Sequence, residues 1–88
     1  MDNIRRRRIR AAIEELRKDT PDIDVVRSIL EGVQGEEEDA RDNTPESLQE
    51  TDRYIVCEES CDALEEAVDA LDDDIEAAVE ALSRIDGV

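Results

Sequence analysis

The stretch that decides the fold is residues 54–85, which read YIVCEESCDALEEAVDALDDDIEAAVEALSRI. Its apolar residues recur at alternating steps of three and four, and neither glycine nor proline interrupts them. This spacing is the heptad pattern of a helix with one continuous apolar seam. It predicts one long helix over about 51–86, with the seam formed by Tyr54, Cys57, Cys61, Leu64, Val68, Leu71, Ile75, Ala78, Leu82 and Ile85.

Alanines widen this seam on one side. In heptad terms Ala67 and Ala81 fall at g positions, and Ala63, Ala70 and Ala77 fall at c positions. A broader apolar stripe with small side chains suits a helix that contacts more than one neighbour at close range, as in a bundle. The alternative is that these alanines only favour the helix on a solvent-exposed face.

The first half of the chain is helical on the same grounds. Ile9, Leu16, Ile23 and Leu30 are seven residues apart, and Thr20-Pro21-Asp22 resembles a helix start, with Thr20 as N-cap and Pro21 at the first helical position. Because the heptad phase continues through Pro21, we expect a kinked or broken rod over about 3–18 and 21–41.

The segment Asp42-Asn43-Thr44-Pro45-Glu46-Ser47 is expected to form the corner, with a short helical turn and a possible capping box between Ser47 and Glu50. The predicted fold is all-α: one domain, 1–88, made of a first rod (1–41), a corner (42–50) and the long heptad helix (51–86), folded as an antiparallel helical hairpin. Its predicted core is Ile9, Leu16, Ile23, Val26, Leu30, Cys57, Cys61, Leu64, Val68, Leu71, Ile75 and Leu82.

The composition points to assembly. The chain has 88 residues, no phenylalanine or tryptophan and one tyrosine, so its core must be aliphatic and thin. Short chains often gain stability by self-association. We therefore expect a homo-oligomer, with a dimer favoured, in which hairpins form a coiled-coil-like bundle.

The charge is strong and uneven. Net charge is −16, yet the first 20 residues hold seven basic and four acidic side chains, which leaves 23 acidic and four basic side chains, a net charge of −19, on residues 21–88. This strongly negative part of the chain, residues 21–88, repels nucleic acid and anionic membranes. Direct nucleic-acid binding is therefore not expected, and the expected partner is a protein with a basic surface. The absence of a long apolar run and the two unpaired cysteines favour a cytoplasmic protein with no membrane span.

The corner also carries a resemblance. Glu36-Glu37-Glu38, then Asp42-Asn43-Thr44-Pro45-Glu46-Ser47-Leu48-Gln49, then Arg53-Tyr54 and repeated Ala-Leu-Glu-Glu-Ala steps, resemble small uncharacterised helical proteins of bacteria and their phages. Those proteins share an acidic run, a "DN-x-P-E-S-L-Q" corner and a C-terminal acidic heptad helix. The resemblance covers about residues 27–82 and implies a helical fold without implying an activity.

No catalytic or cofactor site is predicted. The chain has no histidine and no phosphate loop. Cys57 and Cys61 could supply half of a metal site, but small buried apolar filler is the favoured role, so neither a metal nor a cofactor is expected. The acidic patch of Asp69, Asp72, Asp73, Asp74 and Glu76 is the candidate partner-facing surface.

Two functions follow. The first is a non-enzymatic, self-associating interaction module whose acidic faces meet a protein partner. The alternative is a phage-type DNA mimic, in which carboxylates imitate phosphates and inhibit a nucleic-acid-binding enzyme, as anti-restriction and anti-CRISPR proteins do. Adaptation to high salt would produce the same composition, with 27 acidic residues and only one lysine.

Overall fold

A computed structural model describes residues 1–48 and 51–88, apart from the side chain of Arg53. Regular structure in these residues is entirely helical. The helices are α1 (Asn3–Leu16), α2 (Ile23–Asp42), α3 (Asp52–Ala70) and α4 (Ile75–Ser83), and a single 3₁₀ turn (Glu46–Leu48) lies in the corner between α2 and α3. The predicted capping box depends on Glu50 and lies outside the described residues.

The first half of the chain is a helical hairpin. Arg5 at the start of α1 lies beside Glu37 near the end of α2, with Arg5 Nε 2.8 Å from Glu37 Oε1, so the two helices run antiparallel. The predicted kinked or broken rod, over about 3–18 and 21–41, is broken close to the predicted position, but its two segments fold back on each other and do not continue as one rod. The physical reason lies at Pro21 and Asp22: proline disfavours a helical conformation in the residue before it, and Asp22 rather than Thr20 caps α2 by accepting a hydrogen bond from the Val25 N–H at 3.2 Å.

The second half is also a hairpin, so the prediction of one helix over 51–86 is wrong. Helix α3 begins where expected, after the N-cap Thr51, but it ends at Ala70. Asp74 then adopts an extended conformation and caps α4, accepting a hydrogen bond from the Ala77 N–H at 3.1 Å. The chain reverses at this turn: Arg84, the C-cap of α4, contacts Glu66 of α3, with Arg84 Nη2 2.5 Å from Glu66 Oε2.

The two hairpins pack against each other as an antiparallel four-helix bundle, in which α2 contacts α3 and α1 contacts α4. Arg27 of α2 pairs with Asp72 at the end of α3, and Arg6 of α1 hydrogen-bonds the carbonyl of Asp86 at 3.0 Å. The bundle measures 46 × 20 × 19 Å.

The core closes within one chain. All predicted core residues are fully or partly buried: Ile9, Leu16, Val26, Leu30, Cys61, Leu64, Leu71 and Leu82 are buried, and Ile23, Cys57, Val68 and Ile75 are half-buried. Each fully buried leucine stabilises the fold by roughly 2 kcal/mol. The alanines act as the wide stripe predicts: Ala67, at a g position, has no exposed surface, and neither do Ala12, Ala78 and Ala81. Small side chains at these positions let four thin helices approach closely.

Candidate functional site

The predicted acidic patch lies at one end of the bundle. Asp69 belongs to the last turn of α3, Asp72 and Asp73 form the turn, Asp74 caps α4 and Glu76 lies in the first turn of α4. All five are exposed, but they do not share a helix face. Asp72 is engaged by Arg27 at 2.6 Å, and Asp74 is engaged as the cap, so part of this patch serves the fold.

A longer acidic surface runs along α3. We define the acidic ridge as the six exposed carboxylates of this helix from residue 58 onward: Glu58, Glu59, Asp62, Glu65, Glu66 and Asp69. Among the described residues only Glu66 forms an ion pair, with Arg84. Sequence reasoning named only Asp69 of this set. The signal was present in the heptad, since every outward position of α3 from residue 58 onward is acidic or small.

Most arginines among residues 1–10 already bind carboxylates or carbonyls of the same chain. Arg5 pairs with the buried Glu37, Arg8 pairs with Glu36, and Arg10 donates to the carbonyl of Gly87. Arg6 joins the C-terminal segment as described above. Arg7 is exposed, and no ion pair of its guanidinium is found in the described part of the chain. A row of arginines that already binds carboxylates and carbonyls offers few donors to a phosphate backbone.

The two cysteines lie near the same buried carboxylate. The Cys57 thiol donates to Glu37 Oε2 at 3.4 Å and lies 3.5 Å from the Glu37 carbonyl oxygen. Burial, together with the negative charge of Glu37, raises the pKa of Cys57 above its usual value. Burial, with Cys57 nearby, raises the pKa of Cys61 to about 12. Both groups are therefore protonated thiols at neutral pH, which are poor nucleophiles and poor metal ligands.

Other site chemistries find little support. Within residues 1–48 and 51–88, no three metal-ligating side chains converge closely enough to hold an ion. In the same residues no helix combines the length and the apolar character that a bilayer crossing requires.

No protein-family model, curated protein or solved structure matches the chain. The structure thus defines a class, an acidic antiparallel four-helix protein. The resemblance to small phage and bacterial helical proteins stays an expectation drawn from the corner motif.

Proposed function

We propose that this protein is a non-enzymatic interaction module whose acidic ridge binds a basic surface on another protein. One observation carries the proposal: the acidic ridge of α3 presents six exposed carboxylates, and five of them have no ion-pair partner among the described residues. Unpaired surface carboxylates repel one another, so leaving them together reduces the stability of the monomer. A cationic partner removes that repulsion, speeds association and sets the orientation of binding.

The chemistry of the remaining side chains supports a non-enzymatic role. The chain has no histidine, and its two thiols are held in the protonated form beside a buried carboxylate. The exposed carboxylates of α3 point outward from a convex helix, so they cannot converge on one substrate atom. Such a surface suits recognition by charge better than general acid–base catalysis.

A matched pair of variants tests the proposal. The ridge variant carries Glu58→Gln, Glu65→Gln and Asp69→Asn; the control variant carries Glu14→Gln, Glu31→Gln and Asp39→Asn, which are exposed acids on α1 and α2. Both variants change the net charge by the same amount. Immobilised wild type and control are expected to capture the same basic proteins from the source cell at low salt, and the ridge variant is expected to lose them. Equal capture by both variants would show that net charge, not the ridge, drives binding.

A specific feature of the ridge favours the DNA mimic as the second candidate. The six carboxylates from residue 58 to residue 69 occupy about 17 Å of helix axis at 1.5 Å per residue. Their mean spacing of ~3 Å is close to the roughly 3.4 Å per charge along one strand of duplex DNA. Adding this protein to a complex of DNA and the captured protein should then displace the DNA. If the captured protein keeps its DNA, the interaction module remains and the mimic is rejected.

Self-association stays a prediction. It was predicted because two long rods would leave part of their apolar seams exposed unless a second chain covered them. In the four-helix bundle most of these seam residues are buried within one chain. The exposed large apolar residues are Ile4, Val25, Leu48 and Ile55, so a dimer would have to join these across strongly like-charged surfaces. Sedimentation equilibrium at micromolar concentration decides the point, because one chain has a mass of 9.9 kDa and a dimer twice that.

A further inference from the structure

A groove runs between α3 and the segment that follows α4. Its volume is about 490 Å³, and its floor contains apolar side chains of Val56, Ala63 and Ile85. Val56 and Ala63 are half-buried, and Ile85 belongs to the buried core. The groove thus offers apolar surface beside the ridge, where α3 is otherwise covered by charge.

A buried hydroxyl lies in the same groove. Ser60 lines it and has only 2 % of its surface exposed, and its side chain forms no hydrogen bond with any residue in the described ranges. The Ser60 oxygen is not among the fully buried unpaired side-chain atoms of the described residues, so it keeps a small contact with solvent on the groove side. A hydroxyl that lines the groove without a hydrogen-bond partner in the described residues is an acceptor available to a donor that enters the groove.

The rim of the groove is acidic. Glu59 and Asp62 stand on one side without an ion-pair partner among the described residues, and Asp86 stands at the C-terminal side, 3.8 Å from Arg6 Nη2. The fourth rim carboxylate, Glu66, binds an arginine of the same chain: Arg84 Nη2 lies 2.5 Å from Glu66 Oε2. This contact shows that a guanidinium fits the rim, and Glu59 and Asp62 are rim carboxylates without an ion-pair partner among the described residues.

The apolar floor, the unpaired hydroxyl and the acidic rim of the groove together match one kind of side chain. We propose that this groove receives an arginine or lysine side chain of the basic partner. The methylene stem lies on Val56, Ala63 and Ile85, while the cationic head meets the carboxylates of Glu59 and Asp62 and donates to the Ser60 hydroxyl. Long cationic side chains bury their stems on apolar surface in this way and keep their charge among polar groups. The inference rests on the proposed function and adds the feature that gives a charged surface its specificity.

The test compares two short capped peptides of equal charge. One peptide carries arginines; the other carries 2-amino-3-guanidinopropionic acid at the same positions, which keeps the guanidinium on a stem two methylenes shorter. Nuclear magnetic resonance titration of the full chain at low salt gives both affinities and locates binding through the Ser60 and Ala63 amide signals. We expect the arginine peptide to bind wild type about tenfold more tightly, because two more methylenes are buried.

Two variants locate that preference. Ala63→Leu fills the groove without changing charge, and it should bring the two peptides to equal affinity. Ser60→Ala removes only the hydroxyl and keeps the groove open, so it remains a test if the leucine variant fails to fold. It should weaken binding of the arginine peptide several-fold. Circular dichroism and thermal melting confirm that each variant is folded.

The ridge variant separates this inference from the proposed function. It leaves every groove residue in place, so it should weaken both peptides while retaining the preference for arginine. If wild type binds both peptides equally and the ridge variant weakens both, the groove is not a side-chain site and the ridge function stands. If wild type binds neither peptide even at low salt, both proposals are overturned.

Discussion

Glu37 is a charged residue that the fold buries completely, and its partner is Arg5, whose side chain is 18 % exposed. The pair ties the start of α1 to the end of α2, and the Cys57 thiol adds a further hydrogen bond to the same carboxylate. Removing one partner of a buried pair leaves the other charge without compensation. This contact is therefore the point at which a single side chain has the greatest electrostatic effect on the fold.

We predict that Arg5→Ala lowers the free energy of unfolding by about 3 kcal/mol. The double variant Arg5→Met with Glu37→Met is expected to stay within about 1 kcal/mol of wild type, because an apolar pair carries no desolvation cost. Urea unfolding followed by circular dichroism measures both. Arg7→Ala is the matched control on the same helix, and its expected effect is under about 0.5 kcal/mol. Equal losses for Arg5→Ala and Arg7→Ala would contradict this account.

The two thiols should be inert in the folded protein. Because the pKa of Cys61 is about 12 and that of Cys57 is also raised, the thiolate fraction at pH 8 is small. Thiol labelling with a disulfide reagent at pH 8 is expected to be slow in the native state and fast in urea. A raised folded-state pKa stabilises the protein fully below the unfolded value, here 9.0 for Cys61, and this contribution falls as pH rises from about 9 towards about 12. Rapid native labelling at pH 8 would rule the burial argument out.

At the scale of elements, the break between α3 and α4 depends on three adjacent aspartates. Aspartate is a weak helix former and a strong N-cap, so Asp72-Asp73-Asp74 carries a stop signal as well as negative charge. The heptad spacing continues across it, since Leu71, Ile75 and Ala78 all serve the core on both sides of the turn. Periodicity alone could not distinguish a continuous helix from a hairpin whose two arms use the same seam.

The cap at Asp74 gives an element-scale prediction. Asp74→Ala removes the acceptor for the Ala77 N–H and is expected to lower stability by about 1 kcal/mol. Asp73→Ala removes the same charge from the adjacent residue, whose side chain forms no hydrogen bond within the described residues, and should change stability by less than about 0.5 kcal/mol. Thermal melts of the two variants side by side make the comparison. Equal effects would mean that charge rather than capping holds the turn.

The two glycines of α2 offer a second comparison. A Cβ at position 35 would meet nothing within 4 Å, whereas at position 32 it would lie 2.8 Å from Arg8 Nη2. Gly35→Ala should therefore stabilise the protein by about 0.5–1 kcal/mol, because alanine loses less backbone entropy in a helix. Gly32→Ala should gain less, since Arg8 must move from its contact with Glu36. Denaturant midpoints measure both, and a loss of stability in Gly35→Ala would argue against a helix at this position.

At the scale of the whole molecule, charge opposes the compact state. A net charge of −16 on 88 residues produces self-repulsion that salt screens. We predict that the melting temperature rises between about 0.01 and 0.15 M salt, as the Debye length falls from roughly 30 to roughly 8 Å, and then levels off. The ridge variant should show a smaller rise than wild type. A melting temperature that keeps climbing by tens of degrees in molar salt would instead identify adaptation to a saline cell as the reason for the acidity.

The sequence by itself determined the helical class, the starts of α1 and α3, and part of the core, because seven of the fourteen residues of the buried cluster are on the predicted list while Ala12, Ile13 and Val33 are not. These features depend on local patterning, because an apolar side chain every three or four residues must lie on one face of a helix. It also identified alanine as the residue that admits close neighbours, and Ala67 and Ala81 are fully buried.

Only the tertiary structure decided how many times the chain reverses. A hairpin of two long rods and a bundle of four short helices use the same seam residues, and they differ only in whether Pro21 and Asp74 bend the helix or end it. The local caps at Asp22 and Asp74 allow the helices to end there, and the long-range contacts of Arg5 with Glu37 and of Arg84 with Glu66, which no local pattern specifies, hold the reversed arrangement. The heptad pattern of α3 already places the acidic ridge on its outer face, and the tertiary structure decided that Arg84 pairs with Glu66 while the other five carboxylates of the ridge have no ion-pair partner among the described residues.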